Sequence, residues 1–490
     1  METAVNADAA VPAPTSTAGR PVPTRQTLIL ALLLMGQFMS LLDNTIVNVA
    51  MRTISADLHA SGAQLQLIVS GYTVSYAVLL ITGARLGTLL GRKRLFLSGL
   101  AIFTLSSLAC GLAPNATVLV LMRFAQGIGA AAMVPQVLST INTSFTGPER
   151  SRALGGYSAV IALGAVCGQV LGGILVSADI AGSGWRPIFL VNVPIGVVLS
   201  ALVSKLVPDD RPAGGRRLDV AGLLLAVPAV LLIVLPLVLG HEYGWPLWCI
   251  GAIAAGVILA GVFVAVERRI LAGGGDPLLD VRVVRIPGLG AGLITVGGVM
   301  AAYGGSMFAL SLHLQEGLGD SALRAGLIFA PAALLFGAAS LYWRRIPAAA
   351  HHTLSAAGLI GAAVSVAGLA ALLHGGSDGG AGLWLVLMGW GLAQGVAFGS
   401  LMAHALAEVP PERAADASGL LTTTTQLGNA LGTAVFGSIF LSLDATGARL
   451  DSAHAFADTW WTIAAVFALC SIGGALLGRS VLRLRRAAAV

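Results

Sequence analysis

Fourteen stretches of mostly apolar residues dominate this sequence, and each is long enough to cross a bilayer. A helix needs about 20 apolar residues to span a hydrocarbon core about 30 Å thick. The stretches lie at 27–50, 64–85, 94–113, 116–141, 153–177, 186–207, 218–240, 246–270, 289–315, 321–343, 351–373, 380–407, 414–442 and 459–482. Because backbone groups cannot remain unpaired in lipid, each stretch must be helical apart from local breaks. The sequence therefore predicts an all-α integral membrane protein with fourteen transmembrane helices.

Composition indicates the same class of protein. Only 10% of the 490 residues are charged, against about 25% in soluble domains, so the chain could not cover a water-exposed surface of this size. The four cysteines lie in apolar stretches, without the spacing of a metal site or a disulfide framework. These features exclude a secreted disulfide scaffold, a nucleic-acid-binding protein and an ordinary cytosolic enzyme.

Arginine and lysine are distributed unevenly between the predicted loops. An even number of crossings puts both termini on one side, and that side carries 23 of the 28 basic residues, whereas the opposite side carries four. Positive residues are enriched on the cytoplasmic side of membrane proteins. The sequence therefore predicts a multi-pass protein of the cell inner (plasma) membrane with both termini in the cytoplasm. The predicted tails are a disordered one at 1–26 and a short one at 483–490.

Two charged residues lie far from the ends of the predicted helices, Asp43 in helix 1 and Arg123 in helix 4. At 1.5 Å per residue they lie about 12 Å and about 10 Å below the same membrane surface, so they are expected to face each other or a water-filled cavity. An isolated charge at this depth costs several kcal/mol. Two interpretations remain open. The pair couples transport to protons, since burial favours the neutral carboxyl and a guanidinium favours the charged one, or it is a structural ion pair that locks the two helices.

Further polar and aromatic residues are predicted to line a substrate cavity. In helix 1, Gln37, Ser40, Asn44 and Asn48 recur at steps of three or four and so share one face. The other candidates are Gln126 and Gln136 in helix 4, the run Thr422 to Thr425 with Thr424 as its cavity residue, Gln426 and Asn429 in helix 13, and the aromatic residues Tyr72, Tyr76, Tyr303, Phe308 and Trp390. For each residue taken alone, interhelical hydrogen bonding or packing is an equally good interpretation.

Small residues recur at helical spacing, as at Gly164, Gly168 and Gly172 in helix 5. This spacing lets helix backbones approach closely, either in a static interface or in helices that slide. The eight histidines and the acidic residues show neither metal-ligand spacing nor a nucleophile beside a base. We therefore expect no catalytic residue, no metal and no cofactor, and the mostly apolar helices disfavour a channel.

Several motifs resemble the major facilitator superfamily, and within it the fourteen-helix drug:proton antiporters of the DHA2 branch. The stretch Leu41 to Met51 is similar to the first-helix motif of that branch and places the motif's acid at Asp43. The stretch Leu121 to Ala131 is similar to motif B and places Arg123 at the position associated with proton coupling. Residues 185–196 and 409–432 are similar to further stretches typical of the branch. The resemblance therefore spans about residues 27–440.

Two motifs depart from the family pattern. The loop between helices 2 and 3 keeps the end of motif A but has Thr88 where the family's aspartate is expected and Leu89 where an arginine is usual. The antiporter motif has Gln169 where a proline commonly sits, which removes a proline kink from helix 5. The resemblance implies gating and helix flexibility at Gly91, Arg92, Gly164, Gly168, Gln169, Gly172 and Gly173.

For the fold, the resemblance implies two six-helix bundles, at 27–207 and 289–482, with a linker at 208–288 that carries helices 7 and 8. These two helices carry no deep charge, as expected of lipid-facing spacers. For function, it implies a secondary transporter that exports lipophilic, often cationic drugs or antibiotics in exchange for extracellular protons by alternating access. A proton-coupled or facilitative importer of a specific metabolite is the alternative. The expected partners are a drug-like small molecule, protons and membrane lipid, with no nucleic acid, and the protein is expected to be monomeric.

Overall fold

The computed structural model describes residues 24–145, 147–209, 219–240, 243–275, 277–410, 413–444 and 448–487. These residues form helices joined by turns and loops. The α-helices are α1 (Thr24–Ile46), α2 (Met51–Leu58), α3 (Gly62–Leu90), α4 (Arg92–Gly111), α5 (Ala116–Ser144), α6 (Gly147–Ala178), α7 (Pro187–Leu190), α8 (Asn192–Leu206), α9 (Val220–Leu239), α10 (Leu247–Ala272), α11 (Leu289–Leu312), α12 (Ala322–Tyr342), α13 (His351–Leu373), α14 (Gly380–Ala405), α15 (Ala414–Leu443) and α16 (Arg449–Ala487). Most of the predicted tail at 1–26 and the last residues of the tail at 483–490 lie outside the described residues.

The helical segments correspond one to one with the fourteen predicted crossings. Over the described residues, thirteen are long and apolar enough to span a membrane, and the 32-residue helix α6 supplies the other. The first crossing consists of α1, a 3-10 turn at Val47–Ala50 and α2, and the sixth consists of α7 and α8. The predicted all-α fold, with two six-helix bundles and an extra helix pair, is therefore confirmed.

Glycines set the distance between α1 and α6 in the first bundle. A Cβ atom at Gly168 would lie 1.9 Å from Thr45 Oγ1 and 2.8 Å from the carbonyl oxygen of Leu42. Gly164 and Gly172, one turn away on either side, also face α1. Only glycine allows this approach at these three positions, because a side chain there would push the helices apart.

The turn between α3 and α4 depends on Gly91. This residue ends α3 and begins α4 with a φ of 93°, a conformation that residues with a Cβ rarely adopt. Arg92 and Lys93 follow at the start of α4, and Lys93 Nζ lies 3.0 Å from Asp209 Oδ1 after α8. The family-like turn is thus formed although Thr88 replaces the expected aspartate.

Two helix interruptions meet at the end of the molecule opposite the termini. The first is the 3-10 turn Val47–Ala50 in the first crossing, and the second is a π-helical turn, His313–Gly317, after α11. Ser311 Oγ donates a hydrogen bond to the carbonyl oxygen of Asn48, and Arg52 Nη1 donates to the carbonyl oxygen of Gln315 at 2.7 Å. These contacts join the two bundles at that end.

The extra helices α9 and α10, which are the predicted helices 7 and 8, differ in their surroundings. Helix α9 packs against α3 of the first bundle and α15 of the second, and Ser438 Oγ of α15 donates to the carbonyl oxygen of Leu237 at 3.0 Å. Helix α10 packs on α9, and its apolar side chains, such as Leu247 at 85% exposure, face outward. The expectation of lipid-facing spacers fits α10, whereas α9 contacts both bundles and still exposes apolar side chains such as Leu224, at 68%.

Candidate functional site

Asp43 and Arg123 form a buried ion pair inside the first bundle. Asp43 lies three residues before the end of α1, and Arg123 lies in the second turn of α5. Arg123 Nη1 donates to Asp43 Oδ2, and neither side chain has any exposed surface. Charges this deep lose their hydration, so that the pair depends on mutual attraction and on further hydrogen bonds.

Three neutral polar residues complete the surroundings of the carboxylate. Gln126 Nε2 and Asn192 Nδ2 donate to the same oxygen, Asp43 Oδ1, at 2.7 and 2.8 Å. Ser107 Oγ on α4 accepts from both of these amides, at 2.6 and 3.3 Å. Gln126 Oε1 in turn accepts from Arg123 Nη1 at 2.7 Å. Four helices, α1, α4, α5 and α8, therefore contribute to one network, which we call the Asp43 cluster: Asp43, Ser107, Arg123, Gln126 and Asn192.

The guanidinium of Arg123 is held on its other sides by α3 and α7. Its Nε donates to the carbonyl oxygen of Ile68 at 2.8 Å, and its Cζ lies 4.7 Å from the ring centre of Tyr72 and 5.7 Å from that of Phe189. Such cation–π contacts are strongest where water is excluded. Tyr72 is itself fixed by Ser40, whose Oγ lies 2.6 Å from the Tyr72 hydroxyl.

Residue patterns did not indicate all members of this cluster. Asp43 and Arg123 were singled out by charge and depth, and the structure brings them together. Gln126, which was expected to line a cavity, contacts the carboxylate instead. Asn192 and Ser107 were not among the candidates. Asn192 is an isolated polar residue in an apolar stretch, which is the signal that could have drawn attention to it.

The other polar candidates of the first bundle lie elsewhere. Asn44 Oδ1 accepts from Thr73 Oγ1 at 3.2 Å, and Gln37 is buried with 3% exposure. Asn48 acts through its carbonyl group in the contact between bundles described above. Gln136 Nε2 donates to the carbonyl oxygen of Gly83 at 2.9 Å and joins α5 to α3, which is the interhelical bonding that the sequence left open.

The second bundle presents aromatic rather than charged groups. The Tyr303 ring stacks 6.0 Å from Trp390 and 6.4 Å from Phe336, whereas Phe308 is fully buried against Gly437. Asn429 packs on Gly304, and the Thr424 methyl group faces Gly297. Between the bundles, the Tyr76 hydroxyl interacts with the Gln426 side chain. The described candidates of the second half thus belong to several separate contacts.

Glycines also bring the end of α6 that lies opposite the termini close to α12 of the second bundle. A Cβ atom at Gly173 would lie 2.8 Å from the carbonyl oxygen of Ala322 at the start of α12, and one at Gly326 would lie 2.4 Å from the carbonyl oxygen of Gln169. The Leu323 N–H donates to Ser177 Oγ at 3.2 Å. Together with the hydrogen bonds of Ser311 to the Asn48 carbonyl and of Arg52 to the Gln315 carbonyl, these contacts join the bundles at the end of the molecule opposite the termini. We call this end the distal end and these contacts the distal seal.

Among the described residues, no group of three or more His, Cys, Asp or Glu side chains could hold a metal ion. The Asp43 cluster itself offers the chemistry of a carboxyl group, which gains or loses a proton and thereby loses or regains its attraction to a fixed guanidinium.

Comparison with known proteins identifies the family. Residues 33–433 match the sequence model of the Major Facilitator Superfamily. The chain is 38% identical over 445 residues to a "Probable actinorhodin transporter" of Streptomyces coelicolor, covering 88% of this chain and 75% of the relative. It is 36% identical over 422 residues to a cephamycin export protein of Amycolatopsis lactamdurans, covering 84% of each.

The solved structures agree on the fold. A bacterial homolog of the human lysosomal transporter Spinster, crystallised in an inward-facing and unoccupied conformation, superimposes with a TM-score of 0.67 at 16% identity. The match covers 94% of this chain and 98% of that chain. The family resemblance noted in the motifs is thus confirmed: the chain belongs to the Major Facilitator Superfamily and is a multi-pass membrane transporter rather than an enzyme.

Proposed function

We propose that this protein is a proton-driven exporter of lipophilic, drug-like small molecules, with Asp43 as its proton-binding group. The observation that carries the proposal is the fully buried Asp43 carboxylate, balanced by one guanidinium within a single bundle. Similarity to relatives named for antibiotic export supports the class of cargo. The excess of basic residues on the side of the termini supports a cytoplasmic position for both termini in the plasma membrane.

Protonation of Asp43 removes the negative charge that holds Arg123. The guanidinium keeps the Ile68 carbonyl and Gln126 as partners, so the change weakens the ion pair without leaving Arg123 alone. In the present conformation Asp43 has no exposed surface. Proton exchange therefore belongs to another conformation, in which the helices around the cluster separate and water reaches the carboxyl group.

The 3-10 turn beside Asp43 links proton binding to the distal seal. Val47–Ala50 begins four residues after Asp43, and the Asn48 carbonyl in this turn accepts hydrogen bonds from Ser311 and Gln315 of the second bundle. A 3-10 stretch within a long helix often marks a hinge. A shift of α1 on protonation thus acts on the segment that closes the distal end. With cytoplasmic termini that end is external, and we assign the structure to the half of the cycle in which cargo enters from the cytoplasm.

The proposed cargo surface lies between Tyr76 and the aromatic stack of the second bundle. Tyr303, Phe336 and Trp390 offer flat apolar faces, and the Tyr76–Gln426 contact adds hydrogen-bonding groups from both bundles. Sites of this composition suit apolar molecules that carry a few polar groups.

The proposal is tested with purified protein in vesicles oriented with the termini outward. We expect an acidic lumen to drive accumulation of cargo from a panel that includes the antibiotics named for the relatives. Asp43→Asn should abolish this gradient-driven accumulation but retain exchange of cargo without a gradient. The matched control is Asp458→Asn, which neutralises an exposed acid on α16 and should accumulate cargo normally.

Two results would overturn the proposal. If Asp43→Asn accumulates cargo as well as the wild-type protein, Asp43 is only a structural partner of Arg123. If an acidic lumen instead drives cargo out of these vesicles, the protein is a proton-coupled importer.

A further inference from the structure

Two further buried acids among the described residues lie in the extra helix pair, outside the Asp43 cluster. Glu267, in the last two turns of α10, has no exposed surface, and Asp219, at the start of α9, is 8% exposed. Both lie at the end of the molecule that carries the termini. Two carboxyl groups in one buried place cannot both be ionised without a large electrostatic cost.

Backbone donors account for three of the four carboxyl oxygens. The Gly222 N–H donates to Asp219 Oδ1 at 2.8 Å, and the Leu278 N–H donates to Asp219 Oδ2 at 3.1 Å. The Leu279 N–H donates to Glu267 Oε2 at 2.8 Å. The fourth oxygen, Glu267 Oε1, is buried and accepts no hydrogen bond from the described residues.

Glu267 Oε1 is directed at the other carboxyl group. A Cβ atom at Gly222 would lie 2.4 Å from Glu267 Oε1 and 2.5 Å from Asp219 Oδ2, so both oxygens lie against the same point of the α9 backbone. A buried oxygen without a donor is unfavourable as part of a carboxylate. It is satisfied if it carries a proton, because it can then donate to Asp219 Oδ2.

We propose that Asp219 and Glu267 form a second proton-binding site, in which Glu267 holds the proton and donates it to the Asp219 carboxylate. The bonding of Asp219 agrees with its role as the acceptor. Both of its oxygens accept from backbone N–H groups, those of Gly222 and Leu278, as expected of a carboxylate.

The charged groups around this site explain what its titration would change. Arg85, near the end of α3, acts on both carboxyl groups. In the adjoining loop, Asp280 is paired with Arg282 and also interacts with Arg413 before α15. Loss of the Glu267 proton places a second negative charge beside Asp219 and opposite Arg85. The site therefore makes the junction of the helix pair with the first bundle sensitive to pH on the side of the termini.

Infrared difference spectroscopy of the full-length protein in lipid vesicles tests the site directly. In an Asp43→Asn background, we expect the absorbance of one protonated carboxyl group at neutral pH and its loss at alkaline pH. Glu267→Gln should remove this band, since the amide donates to Asp219 without titrating. Glu408→Gln, at a partly exposed glutamate outside the site, is the matched control and should leave the band unchanged.

A band that remains unchanged in Glu267→Gln would overturn the proposal. If that variant fails to fold, Glu267→Asp keeps a carboxyl group on a shorter side chain and should shift the band, whereas an unshifted band would also overturn the proposal. Neither readout involves transport, so the result does not depend on the role proposed for Asp43. Gly222→Ala tests the same band sterically, because the added Cβ would displace both carboxyl oxygens and so change the band. Its control is Gly261→Ala on α10, which has open space around it and should leave the band unchanged.

Discussion

Asn192, at the start of α8, donates a hydrogen bond to Asp43 Oδ1 at 2.8 Å and so ties the last crossing of the first bundle to the first. The same oxygen also accepts from Gln126, while the other oxygen faces Arg123. The carboxylate is thus held by three donors from two other helices, α5 and α8, and its charge affects the positions of both.

The bond between Asn192 and Asp43 predicts an energetic coupling. We expect Asn192→Ala to lower the free energy of unfolding, because a buried carboxylate loses a donor, and expect the loss to be smaller in an Asp43→Asn background. A hydrogen bond to a charged group contributes about 1.5 kcal/mol or more, and a double-mutant cycle on thermal unfolding in detergent measures this coupling. Additive effects of the two substitutions would contradict the prediction.

Close contact along α6 predicts a position-dependent effect of alanine. At Gly168 the added Cβ would clash with Thr45 and Leu42, so Gly168→Ala should destabilise the protein by about 1 to 3 kcal/mol, the usual range for overpacking. At Gly156, on the same helix, the nearest atom is 3.5 Å away, at Leu34 Cδ1. Gly156→Ala should therefore unfold near the wild-type temperature, and equal effects at the two positions would contradict the prediction.

The distal seal predicts a shift in conformation when Ser311 loses its hydroxyl group. Ser311→Ala removes a bond between the bundles, so we expect the distal end to open more often. Spin labels at Ile180 and Leu450, both exposed at that end of opposite bundles, should report a larger population of long distances. The control is Ser442→Ala, because the Ser442 hydroxyl bonds to Ile439 within its own helix. An unchanged distance distribution in Ser311→Ala would show that other contacts hold the seal.

Asp320, in the loop before α12, predicts a pH dependence of stability. Burial and the nearby Asp378 raise its pKa, and Arg324 and Arg449 only partly offset this effect. An acid with a raised pKa in the folded state binds its proton more tightly there than in the unfolded state. The free energy of unfolding therefore falls as the pH rises from the ordinary pKa of the acid through its raised pKa. Asp320→Asn should remove this part of the fall in unfolding temperature. A variant that parallels the wild-type protein across this pH range would contradict the prediction.

The position of a charge along a helix was informative where the charge lies deep in the membrane. Asp43 and Arg123 could be singled out because a deep charge in lipid requires a partner, and only two residues met that condition. Glu267 gives no such signal in the sequence, because it stands beside Arg268 and Arg269 at a helix end, where charges are ordinary. Its burial comes from the loop at Leu278 and Leu279, which folds back over it.

Sequence alone determined the fourteen crossings and the family, since lipid leaves backbone groups no partners except within a helix and the apolar lengths therefore reveal the spans. Tertiary structure decided which polar residues meet. Gln126 turns to the carboxylate while Gln136 on the same helix bonds to α3, and Asn48 contributes its carbonyl group rather than its side chain to the seal. The reason is that hydrogen bonding between helices depends on their rotation and mutual distance, which many packed side chains set together.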